Sequence, residues 1–372
     1  MRIQKHPISA PDSSMPCTLT SFHYGSPGVG KKVYIQCALH ADEVPGMLVA
    51  QFLRKQFDAL DAAGKICGEI VLVPAANPLG LAQAIIGAPF GRFDLTTGIN
   101  FNRAYKHVAK DLMQSLGGKL TDDAAANATL IREHARASVA TWQPATDAET
   151  LKKTLLGMAI DADIVLDLHC DNEAVMHIYA GTPLAEMAAP LSAYMGAHAL
   201  LLALEAGGEP FDEACSRLWW DLAAHFGPAF PIPMGCLSTT VELRGERDVN
   251  YDLAQRDARG LVNFLAHAGV LDSEPDPMPA PLCAATPLEG VEPIAAPHNG
   301  VLVFVRNLGD QVQAGDTIAD LIDPVSGAST PLKTSVAGVF FARTAHRHLL
   351  RGMQVAKIAG PVPFRAGALL SQ

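Results

Sequence analysis

Three apolar, strand-like runs carry, at or just past their carboxyl ends, a side chain that can bind a metal or move a proton. Val33–Leu39 leads to His40, Asp163–Leu168 leads to His169, and Ser238–Leu243 contains Glu242. In open α/β sheets ligands gather outside the carboxyl ends of the strands, so this pattern constrains fold and site together. Between the runs the spacing turns helical. Pro45 and Gly46 open a predicted helix through Gln56, with Met47, Leu48, Phe52 and Leu53 on one face, and Glu69–Pro74 is the next strand. Such alternation predicts an α/β fold with a mixed, mostly parallel sheet and helices on both faces. The longest apolar stretch, about Met187 to Ala206, is broken by Pro190, Ser192 and His198 and reads as a core helix running into a strand.

A chain of 372 residues outgrows one hydrophobic core and predicts two or three domains. Proline density jumps over residues 273–287, which marks a linker between a first domain, residues 1–272, and a second, residues 288–372. Residues 104–159 read as a helical insertion of two or three surface helices, expected to remodel the entrance to any site. The second domain has short strands punctuated by glycines, in two similar halves. One runs Ala296-Pro297-His298-Asn299-Gly300-Val301 and on to Gly309 and Gly315; the other runs Ser335-Val336-Ala337-Gly338-Val339 and on to Gly352. These halves resemble the barrel-sandwich arrangement of biotinyl and lipoyl domains, so a small all-β domain is predicted. The tip between the halves, about Pro324 to Ala328, holds no lysine, and Lys333 lies too near the second glycine turn to be a carrier lysine.

The 28 Lys and Arg residues against 38 Asp and Glu give a net charge of −10 with no basic block, which argues against a nucleic-acid platform or an anionic-membrane binder. Seven scattered cysteines without a CxxC pair form neither a disulfide framework nor a structural zinc site. The N-terminal Met1 to Pro7 has no apolar signal region, and the chain is expected to be cytoplasmic. Homo-oligomerisation is left open.

His40-Ala41-Asp42-Glu43 is an HxxE element directly after a strand. Imidazole nitrogen and carboxylate oxygen are good zinc donors, and a turn lets ligands three apart converge on one ion. His169, remote in sequence and also at a strand end, adds a third donor and leaves a coordination position for water. The bland alternative for each histidine is a hydrogen-bonded strand-end residue. Glu242 alternates along its strand with Thr240 and Arg244, so the three are expected on one side. Its bland alternative is an exposed glutamate paired with Arg244.

The ordered series His40xxGlu43, Asn77-Pro78-x-Gly80, Arg92, Asn102-Arg103, His169 and Glu242 resembles the succinylglutamate desuccinylase and aspartoacylase family, relatives of the zinc carboxypeptidases, over roughly residues 30 to 260. A C-terminal β-domain is also common there. The resemblance implies a zinc carboxypeptidase-like fold, one Zn²⁺ per chain held by His40, Glu43 and His169, and Glu242 as the carboxylate that activates water. It implies Arg92 as the oxyanion-stabilising arginine, and Asn102 with Arg103 as a clamp for a substrate carboxylate; Arg244, which strand alternation puts on the side of Glu242, is expected to bind substrate with them. Asn77 is expected to shape a turn. Cys170 stands where relatives often carry Ser or Thr and reads as a small packing residue, while Asp171, Asn172, Glu173 and His177 are expected near the pocket. With zinc, Arg92, Arg103 and Arg244 set against Glu43 and Glu242, a locally positive pocket is expected.

The function that follows is a zinc-dependent amidohydrolase, a deacylase cleaving a small N-acyl amino acid or related carboxylate-bearing amide rather than a peptide bond. Two other readings stand beside it: a zinc carboxypeptidase acting on small peptides, and a non-catalytic binding or carrier protein that uses the β-domain.

Overall fold

The structure is a computed structural model and describes residues 1–10, 12–367 and 369. The first strands are β1 Arg2–Pro7, β2 Thr18–Gly25, β3 Lys32–Cys37 and β4 Glu69–Val73, followed by a small hairpin, β5 Ala84–Ile85 with β6 Ala88–Pro89. After them come β7 Ile164–Asp171, β8 Glu173–Ala174, β9 His177–Gly181, β10 Ala199–Ala203, β11 Leu237–Gly245 and β12 Ala285–Pro287. A nine-stranded sheet has the order β1-β2-β4-β3-β7-β11-β9-β10-β12. β4, β3, β7 and β11 run parallel to one another, as do β9, β10 and β12, while the pairings β1–β2, β2–β4 and β9–β11 are antiparallel. The sheet is mixed and mostly parallel, as predicted.

The helices are α1 Pro45–Ala62, α2 Pro78–Leu81, α3 Ala109–Ser115, α4 Ala124–Thr141, α5 Asp147–Ala159, α6 Ala185–Met195, α7 Phe211–Phe226 and α8 Tyr251–His267. Strand side chains alternate between faces, and the core divides accordingly. Val33, Ile35, Ile70, Leu72, Leu166 and Leu168 pack with α1, α6 and α8, whereas Tyr34, Val71, Val73 and Val165 pack with α3, α4, α5 and α7. Helix α1 runs six residues past the predicted Gln56, because Phe57 continues its buried stripe of Val49, Ala50 and Leu53. It starts hard against the sheet: a Cβ on Gly46 would lie 3.2 Å from the Cβ atoms of both Cys37 and Leu168.

The segment 104–159 differs from expectation. Its three helices are not surface additions, since Leu112, Ile131, Leu151, Leu155 and Leu156 are fully buried in the second core. Their charged faces are solvated, but their inner faces form most of one layer of the fold. None of these residues lines the central cleft described below. The proline-dense stretch expected as a linker ends in β12, which pairs in parallel with β10 and extends the main sheet.

The C-terminal strands are β13 Val291–Ala295, β14 Gly300–Phe304, β15 Gln311–Val312, β16 Thr317–Ile322, β17 Ser329–Lys333, β18 Gly338–Arg343, β19 His348–Leu349 and β20 Gln354–Ala359. They form two antiparallel sheets, β13-β20-β18-β15 and β17-β16-β14-β19, closed over Leu302, Ile318, Leu321, Phe340, Leu349 and Ile358. This β-unit docks on the larger one through β8, which pairs with β18. Among the described residues no helix is long and apolar enough to cross a membrane.

Where the units meet, His177 is completely buried and its ring lies edge-on to Phe341 with centroids 4.9 Å apart. Its Nδ1 donates to the Val175 carbonyl at 2.8 Å, and its Nε2 has no partner among the described residues. A second ring proton would have no acceptor, and burial pushes the imidazole pKa down to about 4. Between the unfolded value near 6.5 and about 4 the unfolded chain binds the proton and the native chain does not, so stability falls as pH drops through that window. We expect about 2–3 kcal/mol of acid-labile stability from this one group. Comparing unfolding free energies of the wild type and His177→Gln from pH 7.5 to 4.5 should show a shallower decline in the variant; parallel declines would refute it.

Candidate active site

The site forms where the parallel strands β3, β7 and β11 end side by side. Cys37 pairs with Leu168 across β3 and β7, and His169 pairs with Glu242 across β7 and β11. His40 and Glu43 lie in the turn between β3 and α1. All three side chains are buried, at 3%, 4% and 2% exposure for His40, Glu43 and His169.

The Glu43 carboxylate is the hub. Oε1 lies 2.8 Å from His40 Nδ1 and accepts from Arg92 Nη1 at 2.9 Å; Oε2 lies 2.7 Å from His169 Nδ1 and accepts from the Cys170 amide at 3.1 Å. Candidate ligand atoms of His40, Glu43 and His169 fall within 4.8 Å of one another. Each imidazole is held from behind. His40 Nε2 is 2.8 Å from Asn100 Oδ1, and His169 Nε2 is 3.0 Å from Asp167 Oδ2, close but without in-line hydrogen-bond geometry. An oxygen behind Nε2 keeps a proton there and leaves Nδ1 free to ligate, the arrangement by which outer groups orient metal-binding histidines.

The charges follow from these contacts. Burial works against the charged forms of Glu43 and His169, yet the two histidines hold Glu43 well below the usual carboxylate range, and Asp167 and Glu43 hold His169 well above its ordinary value. His40, with burial dominant, is lowered. Glu242 is pushed up to about 8 by burial and by the Glu43 charge, and its Oε2 has no partner among the described residues.

His40, Glu43, Arg92, Asn102, Arg103, His169 and Glu242 line one cleft of about 320 Å³. Arg103 Nη1 donates to the Asn102 carbonyl at 2.7 Å, and its stem runs past Gly208, where a Cβ would lie 2.7 Å from Cδ. Asn102 Oδ1 is already engaged, accepting from the Phe211 amide at 2.9 Å at the start of α7. Asn77 shapes its turn as expected: its Oδ1 accepts from the Gly80 amide and its Nδ2 donates to the Leu39 carbonyl, both at 2.8 Å.

Arg244 is a correction. It is absent from the cleft and pairs instead with Asp257 on α8. Strict alternation fails because a bulge separates Glu242 from Gly245 and Arg244 itself has φ +68°, which turns its side chain to the other side of the sheet. Asp171, Asn172 and Cys170 line the cleft, but Glu173 and His177 do not; Glu173 accepts from Arg343 at 2.6 Å and Arg347 at 2.8 Å.

Several residues in or behind the cleft escaped the sequence reading. Asp167 had a signal, a charged residue inside an apolar strand two before His169. Tyr179, Asp212 and Glu213 had weak ones. Gln354 and Lys357 had none, because they come from β20 of the C-terminal unit; Lys357 Nζ donates to Asp171 Oδ2 at 2.5 Å. The expected positive pocket is also corrected: Arg92, Arg103 and Lys357 face the carboxyl groups of Glu43, Asp171, Asp212, Glu213 and Glu242. Burial pushes Asp212 up to about 6 and Glu213 to about 7. Three cationic side chains and the His169 imidazole thus face five carboxyl groups, of which Asp212, Glu213 and Glu242 are held nearer to neutrality by burial.

The profile of the succinylglutamate desuccinylase/aspartoacylase catalytic domain matches residues 29–268. A comparison with curated protein sequences gave no match. Among solved structures, a succinylglutamate desuccinylase/aspartoacylase family protein of Shewanella amazonensis SB2B superimposes with a TM-score of 0.83 at 26% identity, covering 96% of this chain and 98% of that one. A succinylglutamate desuccinylase/aspartoacylase of Shewanella frigidimarina NCIMB 400 has a TM-score of 0.84 at 24% identity, covering 96% and 97%. The ectoine utilization protein of Ruegeria pomeroyi shares the fold at a TM-score of 0.64 and 19% identity, covering 96% and 93%. With the catalytic-domain match spanning more than half its length, the chain belongs to the succinylglutamate desuccinylase/aspartoacylase family of deacylases.

Proposed function

We propose that this deacylase is zinc-dependent and hydrolyses the amide of a small N-acyl amino acid or related carboxylate-bearing amide. The observation that carries the reading is the buried His40–Glu43–His169 group, whose Nδ1 atoms converge on one carboxylate while Asn100 and Asp167 sit behind the Nε2 atoms. Two imidazoles and a carboxylate are a donor set that fits a catalytic zinc. Zinc bound there would supply Lewis acidity, lowering the pKa of water to about 7 and polarising a carbonyl.

The chain's own residues account for the rest. Glu242, beside His169 and with an unengaged oxygen, would be held as the carboxylate by a cation at the neighbouring ligand group, and in that form it takes the proton of the attacking water and returns it to the departing amine. Arg92 sits at the rim of the ligand group with a permanent charge and several donors, suited to a developing oxyanion. Arg103 and Asn102 line the same cleft, where a guanidinium can hold the substrate carboxylate, and the cleft volume of about 320 Å³ limits the substrate to a compact molecule. The hydrolase unit in this reading is residues 1–272, and residues 288–372 add Gln354 and Lys357 to the cleft wall.

Removing zinc with a chelator should abolish turnover and adding it back should restore it. Glu242→Gln should retain metal by elemental analysis while kcat falls about 10²–10⁴-fold; a metallated, fully active variant would remove Glu242 from this role. A panel of N-acyl amino acids set against dipeptides tests the bond cleaved, with hydrolysis confined to the first set expected. A separate expectation concerns the outer shell: Asp167→Asn should weaken zinc binding about 10–100-fold, read by competition with a chromophoric chelator.

A further inference from the structure

Lys152, on α5, is 3% exposed, and no carboxylate lies within ion-pair distance of it among the described residues. A buried ammonium without a counter-ion is costly, so its retention calls for a physical reason. Its Nζ donates to two backbone carbonyls, Arg103 at 2.7 Å and Asn100 at 3.2 Å. Those carbonyls bracket the segment 100–103, which does two things at once. Asn100 Oδ1 faces His40 Nε2 at 2.8 Å and also accepts from the Asn102 amide at 2.8 Å, and Asn102 with Arg103 lines the cleft.

The segment ends in a turn that needs holding. Ala104 has φ +54°, a left-handed conformation that residues with a Cβ seldom adopt, and its amide donates to the Gly208 carbonyl at 2.8 Å. One side of this turn is tied to the Gly208 loop and the other to Lys152.

We infer that Lys152 is a positioning residue: by holding the Asn100 and Arg103 carbonyls it fixes the orientation of the His40 ring and the reach of Arg103 toward a substrate carboxylate. The inference rests on the proposed zinc deacylase reading for the second of these effects; the first concerns the chain alone. It also gives the helical segment 104–159 a task at the site although no residue of that segment lines the cleft. Burial, which pushes the Lys152 pKa down to about 8, is consistent with an ammonium kept for its donors rather than for an ion pair.

The test compares the full-length wild type with Lys152→Met, which keeps length and apolar stem but removes the donors, and Lys152→Arg, which keeps donors. Three readouts are taken. In the metal-free chain, ¹⁵N shifts of His40 report which ring nitrogen carries the proton; Lys152→Met should lose the wild-type pattern and Lys152→Arg should keep it. Zinc affinity by chelator competition should weaken about tenfold in Lys152→Met. For N-acyl amino acids, KM should rise at least about tenfold with kcat at saturating zinc changed by less than about threefold, the mark of lost substrate binding. A folded Lys152→Met with wild-type His40 shifts, zinc affinity and KM would overturn the inference. If Lys152→Met does not fold, Lys152→Gln takes its place with the same expectations. A wild type that binds no zinc would sink the metal reading instead, and the His40 shifts would still decide the role of Lys152.

Discussion

The burial of the Glu43 carboxylate is the constraint on which the rest of the site depends. A carboxylate at 4% exposure is tolerable only if its oxygens have polar partners, and here four groups face them as such: the Nδ1 atoms of two imidazoles, the Arg92 guanidinium and the Cys170 amide. These groups come from three separate parts of the chain. The parallel pairing of β3 with β7 brings the two histidine-bearing strand ends together, and Gly46 allows α1 to start close enough to keep the turn short. Gly91 completes the arrangement. Its carbonyl accepts from the Ala41 amide at 3.0 Å, and a Cβ there would lie 2.4 Å from the Asp42 nitrogen, so the loop carrying Arg92 can lie directly on the HxxE turn.

Order spreads from that hub into the sheet. Tyr34 OH donates to Gln36 Oε1 at 2.9 Å, Gln36 Nε2 donates to Asp167 Oδ1 at 3.0 Å, and Asp167 Oδ2 faces His169. Tyr34 and Gln36 are two apart on β3, as Asp167 and His169 are on β7, so alternation alone puts this polar line on one face. Buried polar groups joined in this way are costly if any member is removed, which favours a single arrangement of the ring that would ligate. Glu43 and Glu242 lie close enough that the charge of the first raises the second, so a divalent ion held between them would relieve that repulsion.

Much of this was legible in the sequence, for identifiable reasons. Parallel strands buried on both faces read as continuous apolar runs, which located β3, β4 and β7 to within a few residues, and polar residues at the ends of such runs had no structural need to be there. His40, Glu43, His169 and Glu242 were therefore visible as a group. Arg244 misled because period-two alternation assumes a regular strand, and neither the bulge nor the left-handed φ has a signature in Leu243-Arg244-Gly245 strong enough to override it. The helices of 104–159 misled for another reason: the buried stripe of α4 mixes Ala128 and Ala135 with Asn127 and Ser138, and that of α5 includes Lys152, so a buried layer looked like surface. Lys357 was beyond reach, since its position depends on how the C-terminal strands dock on the larger sheet.

That docking gives the segment after His169 a double role. Asp171, the last residue of β7, turns its carboxylate to Lys357 of β20 while it lines the cleft; Glu173 of β8 meets Arg343 and Arg347; His177 of β9 meets Phe341. Three contacts with the β-unit thus fall within a short stretch, alternating with residues that face the site. Because β7 also carries His169, a shift of the β-unit cannot leave Asp171 in place without breaking a half-buried ion pair, and a displaced Asp171 changes the field at Glu242. The β-unit is therefore coupled to the hydrolase unit through charge as well as area. What the β-unit contributes, without a carrier lysine, is Gln354 and Lys357 in the cleft wall, the lysine close enough for its charge to act on Glu242.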